Sequence, residues 1–188
     1  MSRLDLVVGP NGAGKSTFVR FVLAPNRPGV PFVNADVIAR ERWPGAPEVH
    51  SYEAAQIAAA ARSAMIAAGE ELIAETVFSH PSKVGLVREA AAAGYQVNLH
   101  VLMVPVDLSV ARVAVRAALG LHDVPVEKIR SRYARLWAHI AEAAPGCHRA
   151  TFWDNSGDRP RLVGAMAEGH WTRRPGWPSW THTDLLAL

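Results

Sequence analysis

The sequence predicts an α/β fold with a mostly parallel five-stranded sheet, flanking helices and a helical lid. Short apolar segments alternate with helical segments along most of the 188 residues, and such alternation is typical of parallel strands joined by helices. The first apolar segment also runs into a glycine-rich turn that opens a helix. This length suits one domain, so we predict a single domain over 1–188, with a core at 4–168 and a Trp- and Pro-rich tail at 169–188.

Each predicted strand is a short apolar run bounded by turn residues. Residues 4–8 lead, and residues 32–33 form a very short strand after a proline-rich turn. The third run is interrupted by Glu75, a charged residue at the end of an otherwise buried strand. The five strands are predicted at 4–8, 32–33, 72–77, 95–104 and 151–154.

The predicted helices lie between and after these strands. Asn34 or Asp36 caps the second helix, and Gly69 and Gly94 end the third and fourth as left-handed caps. The two helices on either side of the turn at 120–125 are predicted to form the lid. The helices are expected at 15–23, 37–42, 51–68, 82–93, 107–119, 126–143 and 161–168.

Composition narrows the class of protein. Cys147 is the single cysteine, so no internal disulfide is expected. The chain enters its first strand without a basic and apolar leader, and no apolar stretch has the length needed to cross a bilayer. We therefore expect a cytoplasmic protein without a membrane partner. The net charge of +3 favours anionic ligands, but the basic residues are scattered, which makes a nucleic-acid partner unlikely.

The tail carries three tryptophans within an irregular segment, Trp171, Trp177 and Trp180. Each such side chain buries a large apolar area. We expect them to pack over a hydrophobic face, and a recognition surface for a partner is the alternative.

The most informative motif is a complete phosphate-binding P-loop with the spacing Gly-x4-Gly-Lys-Ser. Its backbone N–H groups point at phosphate oxygens, Lys15 reaches the β- and γ-phosphates, and the Ser16 hydroxyl ligates Mg²⁺. The motif predicts binding of ATP or GTP with Mg²⁺. Its residues are Gly9, Pro10, Asn11, Gly12, Ala13, Gly14, Lys15, Ser16 and Thr17.

Four further candidates, Asp36, Glu75, Thr76 and Asp154, lie at or just beyond the ends of predicted strands, where ligands collect in α/β proteins. Asp36 is placed to accept a proton from an attacking hydroxyl, although a helix cap also explains it. Glu75 is costly in a buried strand unless a substrate, Mg²⁺ or an arginine pairs with it. Thr76 is a second candidate substrate contact, or a β-branched residue that simply suits a strand.

Arginines of the predicted lid are candidates for charge stabilisation. Arg112 and Arg116 are four residues apart on one helix and point the same way. Arg130 and Arg132 lie near the start of the next helix. A mobile lid with arginines stabilises a transferring phosphoryl group and excludes water, whereas a solvated helix face explains any one arginine as well.

Taken in order, these motifs resemble the zeta-toxin family of small kinases over residues 4–156. The glycine-histidine-x-valine-proline turn, the arginine-tyrosine helix after it and the Asp-Asn-Ser strand end are the most specific of them. The motifs are the P-loop, Asn34-Ala35-Asp36, Glu75-Thr76, Arg112-Val113 with Arg116, the turn at 120–125, the segment 129–133, and Trp153-Asp154-Asn155-Ser156.

The resemblance implies a P-loop kinase fold that phosphorylates a hydroxyl of UDP-N-acetylglucosamine, or of a related nucleotide, with ATP or GTP and Mg²⁺. It implies Asp36 as general base, Lys15 and Ser16 as phosphate and metal ligands, and Arg112 or Arg116 as charge stabilisers. Glu75 and Thr76 become substrate contacts, and a separate antitoxin becomes a possible partner. The chain departs from the family at Leu121, where relatives commonly carry a second glycine.

Two other functions stay open at this stage. The acceptor is a polynucleotide end or a nucleoside monophosphate in one of them. In the other, the protein is a non-catalytic module that binds nucleotide and docks a partner through its tryptophan tail. This third interpretation gives no purpose to Asp36 and the paired arginines.

Overall fold

The computed structural model describes residues 1–119 and 124–188, and its centre is one sheet with the strand order β2-β3-β1-β4-β5-β6-β7. The first five strands are parallel, which confirms the predicted α/β class. The described part holds seven strands instead of five. They are β1 Arg3–Val8, β2 Phe32–Val33, β3 Leu72–Thr76, β4 Gln96–Met103, β5 Arg149–Asp154, β6 Arg161–Ala167 and β7 His170–Arg173.

The helices cover both faces of this sheet. The first continues from its α-helical turn through wider π-helical turns at Val19–Leu23. Gly69 and Gly94 follow the third and fourth helices with φ of 72° and 80°, the predicted left-handed caps. The helices are α1 Lys15–Phe18, α2 Ala35–Arg42, α3 Ser51–Ala67, α4 Ser82–Ala92, α5 Val106–Ala118, α6 Val126–Ala143 and α7 Thr183–Leu186.

The side chains of β1 divide between two hydrophobic clusters, one on each face of the sheet. Leu4, Leu6 and Val8 join the larger cluster, which also contains residues of α3, α4 and α6. Val7 points to the other face and packs with Phe18 of α1. Strands covered on both sides are apolar along most of their length, and Asp5 is the exception in the buried part of β1. This arrangement fixes β1 at the centre, between β3 and β4, and places the turn that follows it at the middle of the sheet edge.

The helix predicted at residues 161–168 is wrong, because this segment is strand β6. It pairs antiparallel with β5, and β7 then pairs antiparallel with β6. Four consecutive residues of β6 are buried, so the segment lacks the alternation that distinguishes a half-buried strand from a buried helix. Pairing with β5, a contact distant in sequence, decides the outcome.

The prediction that the tail tryptophans pack inward is confirmed. Trp171, Trp177 and Trp180 all lie against the larger core cluster. The rings of Trp171 and Trp177 are 5.7 Å and 5.3 Å from the ring of Phe152, and 5.9 Å from each other. These are distances at which tilted aromatic pairs attract, so the tail completes the cover of the sheet at β5 and β6.

A buried charge network lies on the α1 face of the sheet. Asp5 of β1 is fully buried and contacts Arg3, Arg27 and His100, with distances of 2.7 Å to Arg3 Nη2 and 3.1 Å to His100 Nε2. Burial acts to raise the pKa of Asp5, but hydrogen bonds from His100 and Arg3 outweigh it and hold this pKa below its ordinary value. The network therefore stabilises the fold only while Asp5 is ionised.

We expect Asp5→Asn to lower the free energy of unfolding by about 2–3 kcal/mol at neutral pH, since it removes a buried charged hydrogen-bond partner of Arg3 and Arg27, although Arg27 keeps its contact with Glu71. Because the pKa of Asp5 is depressed in the folded state, its stabilisation is present above the ordinary carboxyl value of about 3.9 and is lost as the pH falls below it. Urea denaturation at several pH values measures both effects. The wild-type and variant curves should converge in acid, and a constant gap would contradict the assignment. Asp107→Asn, at an exposed carboxylate, is the control.

Candidate active site

The P-loop follows β1 and needs glycine at three positions. Gly9, Gly12 and Gly14 have φ of 147°, 71° and 81°, values that side-chain-bearing residues rarely adopt. A Cβ on Gly14 would lie 2.7 Å from Asn155 Nδ2, and one on Gly12 would lie 2.8 Å from the Ser109 carbonyl oxygen. The loop is thus enclosed by α5 on one side and by the end of β5 on the other.

Lys15 occupies the base of this loop. Its side chain is 7% exposed, and Nζ donates a hydrogen bond to the Pro10 carbonyl oxygen at 2.9 Å. Burial lowers the pKa of Lys15, and the nearby carboxylates of Glu75 and Asp36 act in the opposite direction. The contact with Pro10 holds the ammonium group inside the loop, where phosphate oxygens would replace or join the carbonyl.

Glu75 is held directly beside the loop. It lies opposite Val7 in the register of β3 with β1, and its Oε2 accepts hydrogen bonds from Ser16 Oγ and Asn34 Nδ2, each at 2.8 Å. Hydrogen bonds, and no arginine of the described chain, therefore satisfy this carboxylate. A serine hydroxyl beside a carboxylate is an oxygen donor set of the kind that Mg²⁺ prefers.

The structure separates the two roles that the sequence left open for Asp36. Asn34 caps α2, because its Oδ1 accepts from the backbone N–H groups of Asp36 and Val37 at 2.7 Å and 3.2 Å. The Asp36 carboxylate is not used for capping. It is exposed and lines the same cleft as the P-loop.

The arginines of the lid helices lie in two environments. Arg112 of α5 donates to the carbonyl oxygens of Asn155 and Ser156, at 3.0 Å and 3.4 Å, and lies 3.5 Å from that of Gly12. Arg116, one turn later, lines the cleft and is close enough to Lys15 to lower its pKa. Both arginines line the cleft. The charge of Arg116 acts on Lys15, whereas the guanidinium group of Arg112 is engaged with backbone carbonyl oxygens of the P-loop and of the segment after β5.

Arg132 of α6 is one of the lid arginines that the sequence offered as candidates for charge stabilisation. It lines the cleft, and burial lowers its pKa while Asp36 acts to raise it. Its charge also contributes to lowering the pKa of Lys15. In the sequence, Arg132 is one of several arginines in an amphipathic helix. The sequence could not choose between Arg130 and Arg132, because only the fold places Arg132 near Asp36 and pairs Arg130 with Asp107.

Two further contacts fix the ends of β3 and β5. Thr76 Oγ1 accepts from the backbone N–H of Phe78 at 3.3 Å, and Phe78 has a φ of 68°, a strained value of the kind found at functional sites. Asn155 Nδ2 donates to the Ala13 carbonyl oxygen at 2.7 Å. The Asp-Asn-Ser motif drew attention to Asn155 in the sequence, but only the structure shows that Asn155 contacts the P-loop.

All these groups open into one cleft of about 1440 Å³. Sites for one small ligand are commonly about 300–1000 Å³, so this cleft has room for a nucleotide and a second molecule. α5 and α6 border it, as predicted for the lid helices. Residues 120–123, which include the predicted lid turn and Leu121, lie outside the described residues.

A mostly parallel sheet with a P-loop after its central strand, one carboxylate near the end of the adjacent strand β3 and another just after β2, defines a protein of the P-loop kinase class. The model of one family, Zeta toxin, matches residues 3–151. The chain belongs to this family, as its motifs suggested. No curated protein matches it closely enough to be counted.

Solved structures agree on the fold. The AvrRxo1-ORF1:-ORF2 complex with ATP superposes with a TM-score of 0.71 at 15% identity, over 92% of this chain and 60% of that chain. The PezAT chromosomal toxin-antitoxin system of Streptococcus pneumoniae gives 0.62 at 14%, over 88% and 71%. Shikimate kinase from Acinetobacter baumannii, in complex with shikimate, gives 0.52 at 18%, over 79% and 82%. This chain thus spans less than two thirds of the first structure's length.

Within residues 1–119 and 124–188, no helix is both long and apolar enough to cross a membrane.

Proposed function

We propose that the protein transfers the γ-phosphoryl group of ATP or GTP to a hydroxyl of a small nucleotide-type acceptor. The observation that carries the proposal is the position of Asp36. Its carboxylate is exposed, is not needed for the helix cap, and shares a cleft with Lys15, Arg116 and Arg132. A P-loop that only bound nucleotide would not require a base candidate beside its lysine.

In this proposal, the acceptor hydroxyl lies between Asp36 and the γ-phosphorus. The hydroxyl oxygen forms a bond to phosphorus, its proton passes to Asp36, and the bond from phosphorus to the β–γ bridging oxygen breaks, which releases the nucleoside diphosphate. Lys15, Arg116 and Arg132 stabilise charge on the phosphoryl oxygens. Arg112 positions the P-loop through its contacts with the carbonyl oxygens of Gly12 and Asn155.

Ser16 and Glu75 are the residues that would hold Mg²⁺, because they present a hydroxyl and a carboxylate in direct contact beside the P-loop. When bound, the metal supplies positive charge to the phosphate oxygens and orients them. Asn34 keeps the Glu75 carboxylate in place through its amide. Glu75 and Thr76, which line the cleft, are then also within the region that the acceptor occupies.

UDP-N-acetylglucosamine is the first acceptor to test, because family membership is established and the chain carries the motifs that suggested it. The PezAT structure is described as a toxin-antitoxin system. By the same reasoning we propose that a separate antitoxin protein is a possible partner of this chain.

The test is product formation. The protein is incubated with Mg²⁺, ATP or GTP, and a panel of acceptors that contains UDP-N-acetylglucosamine, nucleoside monophosphates and oligonucleotides with free hydroxyl ends. Mass spectrometry then detects an acceptor that has gained one phosphate. We expect a small nucleotide-type product that Lys15→Met protein does not form. Nucleotide binding without transfer to any acceptor, by protein that is folded, would contradict the proposal.

A further inference from the structure

A second group of cations lies in the cleft, apart from the one around the P-loop. Arg62 of α3 and Lys83 of α4 both line the cleft. The charged neighbours that affect Lys15 are Glu75, Asp36, Arg116 and Arg132, and neither Arg62 nor Lys83 is among them. The cleft therefore contains two separate groups of positive charge. In the proposed function, the phosphates of the nucleotide contact only the group around the P-loop.

Arg62 is buried without a partner. The residue is 4% exposed, its Nε is buried without a hydrogen-bond partner, and its side chain forms no hydrogen bond or ion pair with the residues described. Burial lowers the pKa of Arg62, and no carboxylate offsets this effect. An arginine remains charged in proteins, and an unpaired buried charge costs several kcal/mol. A fold would retain such a residue when a ligand supplies the missing negative charge.

Lys83 faces the same space. It is partly buried, and its side chain also lacks a hydrogen bond or ion pair to the described part of the chain. Burial lowers the pKa of Lys83, and the charge of Arg62 lowers it further, so the two cations lie near each other. Two unpaired cations repel, and an anion between them removes the repulsion.

The walls around this pair suit the body of a ligand. Tyr52, Ala55, Ala58 and Arg62 line the cleft from α3, at spacings that place them on one helix face. Ala55 is exposed and its short side chain leaves space in the cleft, and the Tyr52 ring, 76% exposed, is available to pack on a ligand. Ten residues of helix span about 15 Å, so this face extends well beyond a single phosphate group.

We propose that Arg62 and Lys83 form an oxyanion subsite that binds a phosphate or carboxylate group of the acceptor. The proposal rests on the proposed function, since it assigns this end of the cleft to the phosphoryl-accepting substrate. The acceptor is then itself an anion. Its charged group docks between α3 and α4, and its hydroxyl points toward Asp36.

The test uses inorganic phosphate as the probe, with the P-loop occupied by Mg²⁺ and a non-hydrolysable ATP analogue. Phosphate should raise the melting temperature of the wild-type protein. Arg62→Met and Lys83→Met should each raise the half-saturating phosphate concentration by about ten- to a hundredfold, because each removes a hydrogen bond to a charged group. Malonate, titrated in parallel, distinguishes a carboxylate subsite from a phosphate subsite.

A second measurement separates a ligand site from a structural arginine. Without any anion, Arg62→Met should raise the melting temperature by about 2–4 °C or more, because it removes an unpaired buried charge. A structural arginine would give a decrease. The control is Arg88→Met on α4, where the arginine is exposed and pairs with Glu142; both readouts should stay at the wild-type values.

An unchanged phosphate response in both the Arg62 and Lys83 variants would overturn the subsite. A destabilised or unfolded Arg62→Met protein would show that Arg62 is structural, and an unchanged phosphate response of Lys83→Met would then remove the subsite altogether. The outcomes also separate the two proposals. Loss of the phosphate response, with no transfer by the wild-type protein to any acceptor, would keep the subsite and refute the kinase. Transfer to an acceptor by the wild-type protein, with an unchanged phosphate response in both variants, would support the kinase and refute the subsite.

Discussion

Replacement of Asp36 with Asn is expected to slow phosphoryl transfer by about 10²- to 10⁴-fold, the usual contribution of a positioned general base. The amide keeps the shape of the carboxylate but cannot accept the proton of the acceptor hydroxyl. Stability should change little, because Asp36 is exposed and the cap of α2 belongs to Asn34. Steady-state rates measured with the identified acceptor, together with nucleotide affinity, test this expectation.

Asp107→Asn is the matched control for this variant. Asp107 also lies in the first turn of a helix and is exposed, but it pairs with Arg130 and is not among the residues that line the cleft. Its rate should equal that of the wild-type protein. A folded Asp36→Asn protein that transfers phosphate at the wild-type rate would remove Asp36 from the mechanism.

Arg116→Ala is expected to lower kcat by about 10³- to 10⁵-fold, the range found for arginines that stabilise the transferring phosphoryl group. Arg116 lines the cleft, and its charge reaches Lys15. Because this charge acts mainly on the transition state, nucleotide affinity should change much less than kcat. Rapid-mixing or steady-state kinetics, combined with nucleotide titration, separate the two quantities.

Arg88→Ala, at an exposed arginine outside the cleft, serves as the control and should leave kcat and nucleotide affinity unchanged. Arg132→Ala is the informative comparison, since Arg132 lies near both Asp36 and Lys15. A normal kcat for Arg116→Ala together with a large loss of kcat for Arg132→Ala would assign the stabilisation of the transferring phosphoryl group to Arg132 of α6 instead of Arg116 of α5. A loss of nucleotide affinity with an unchanged kcat would mean that Arg116 only binds the ground state.

The helices and parallel strands could be predicted because each carries its own local signal. Gly69 and Gly94 ended α3 and α4 as expected, and the apolar runs marked β1, β3 and β4. β6 had no such signal, because a run of buried residues suits a helix and a strand equally. The partnership of β6 with β5 is set by contacts between segments that the sequence does not place side by side.

The candidate site divides in the same way. The P-loop could be identified from consecutive residues, since a turn that wraps a phosphate depends on glycines at fixed short spacing, and Gly9, Gly12 and Gly14 have the positive φ values that this requires. The sequence left Asn34 and Asp36 as alternative caps and gave no sign of the carbonyl contacts of Arg112, because both depend on which atoms the folded chain brings within hydrogen-bonding distance.

Local chemistry thus specified the family, the phosphate-binding loop and the alternation of strands and helices, all of which depend on neighbours in the chain. The tertiary structure alone decided that Asp36, Arg116 and Arg132 share a cleft with Lys15, and that Arg62 lies buried in it without a partner. These residues come from α1, α2, α3, α5 and α6. Their convergence results from the packing of those helices around the carboxyl ends of the strands, a long-range arrangement that no spacing in the sequence records.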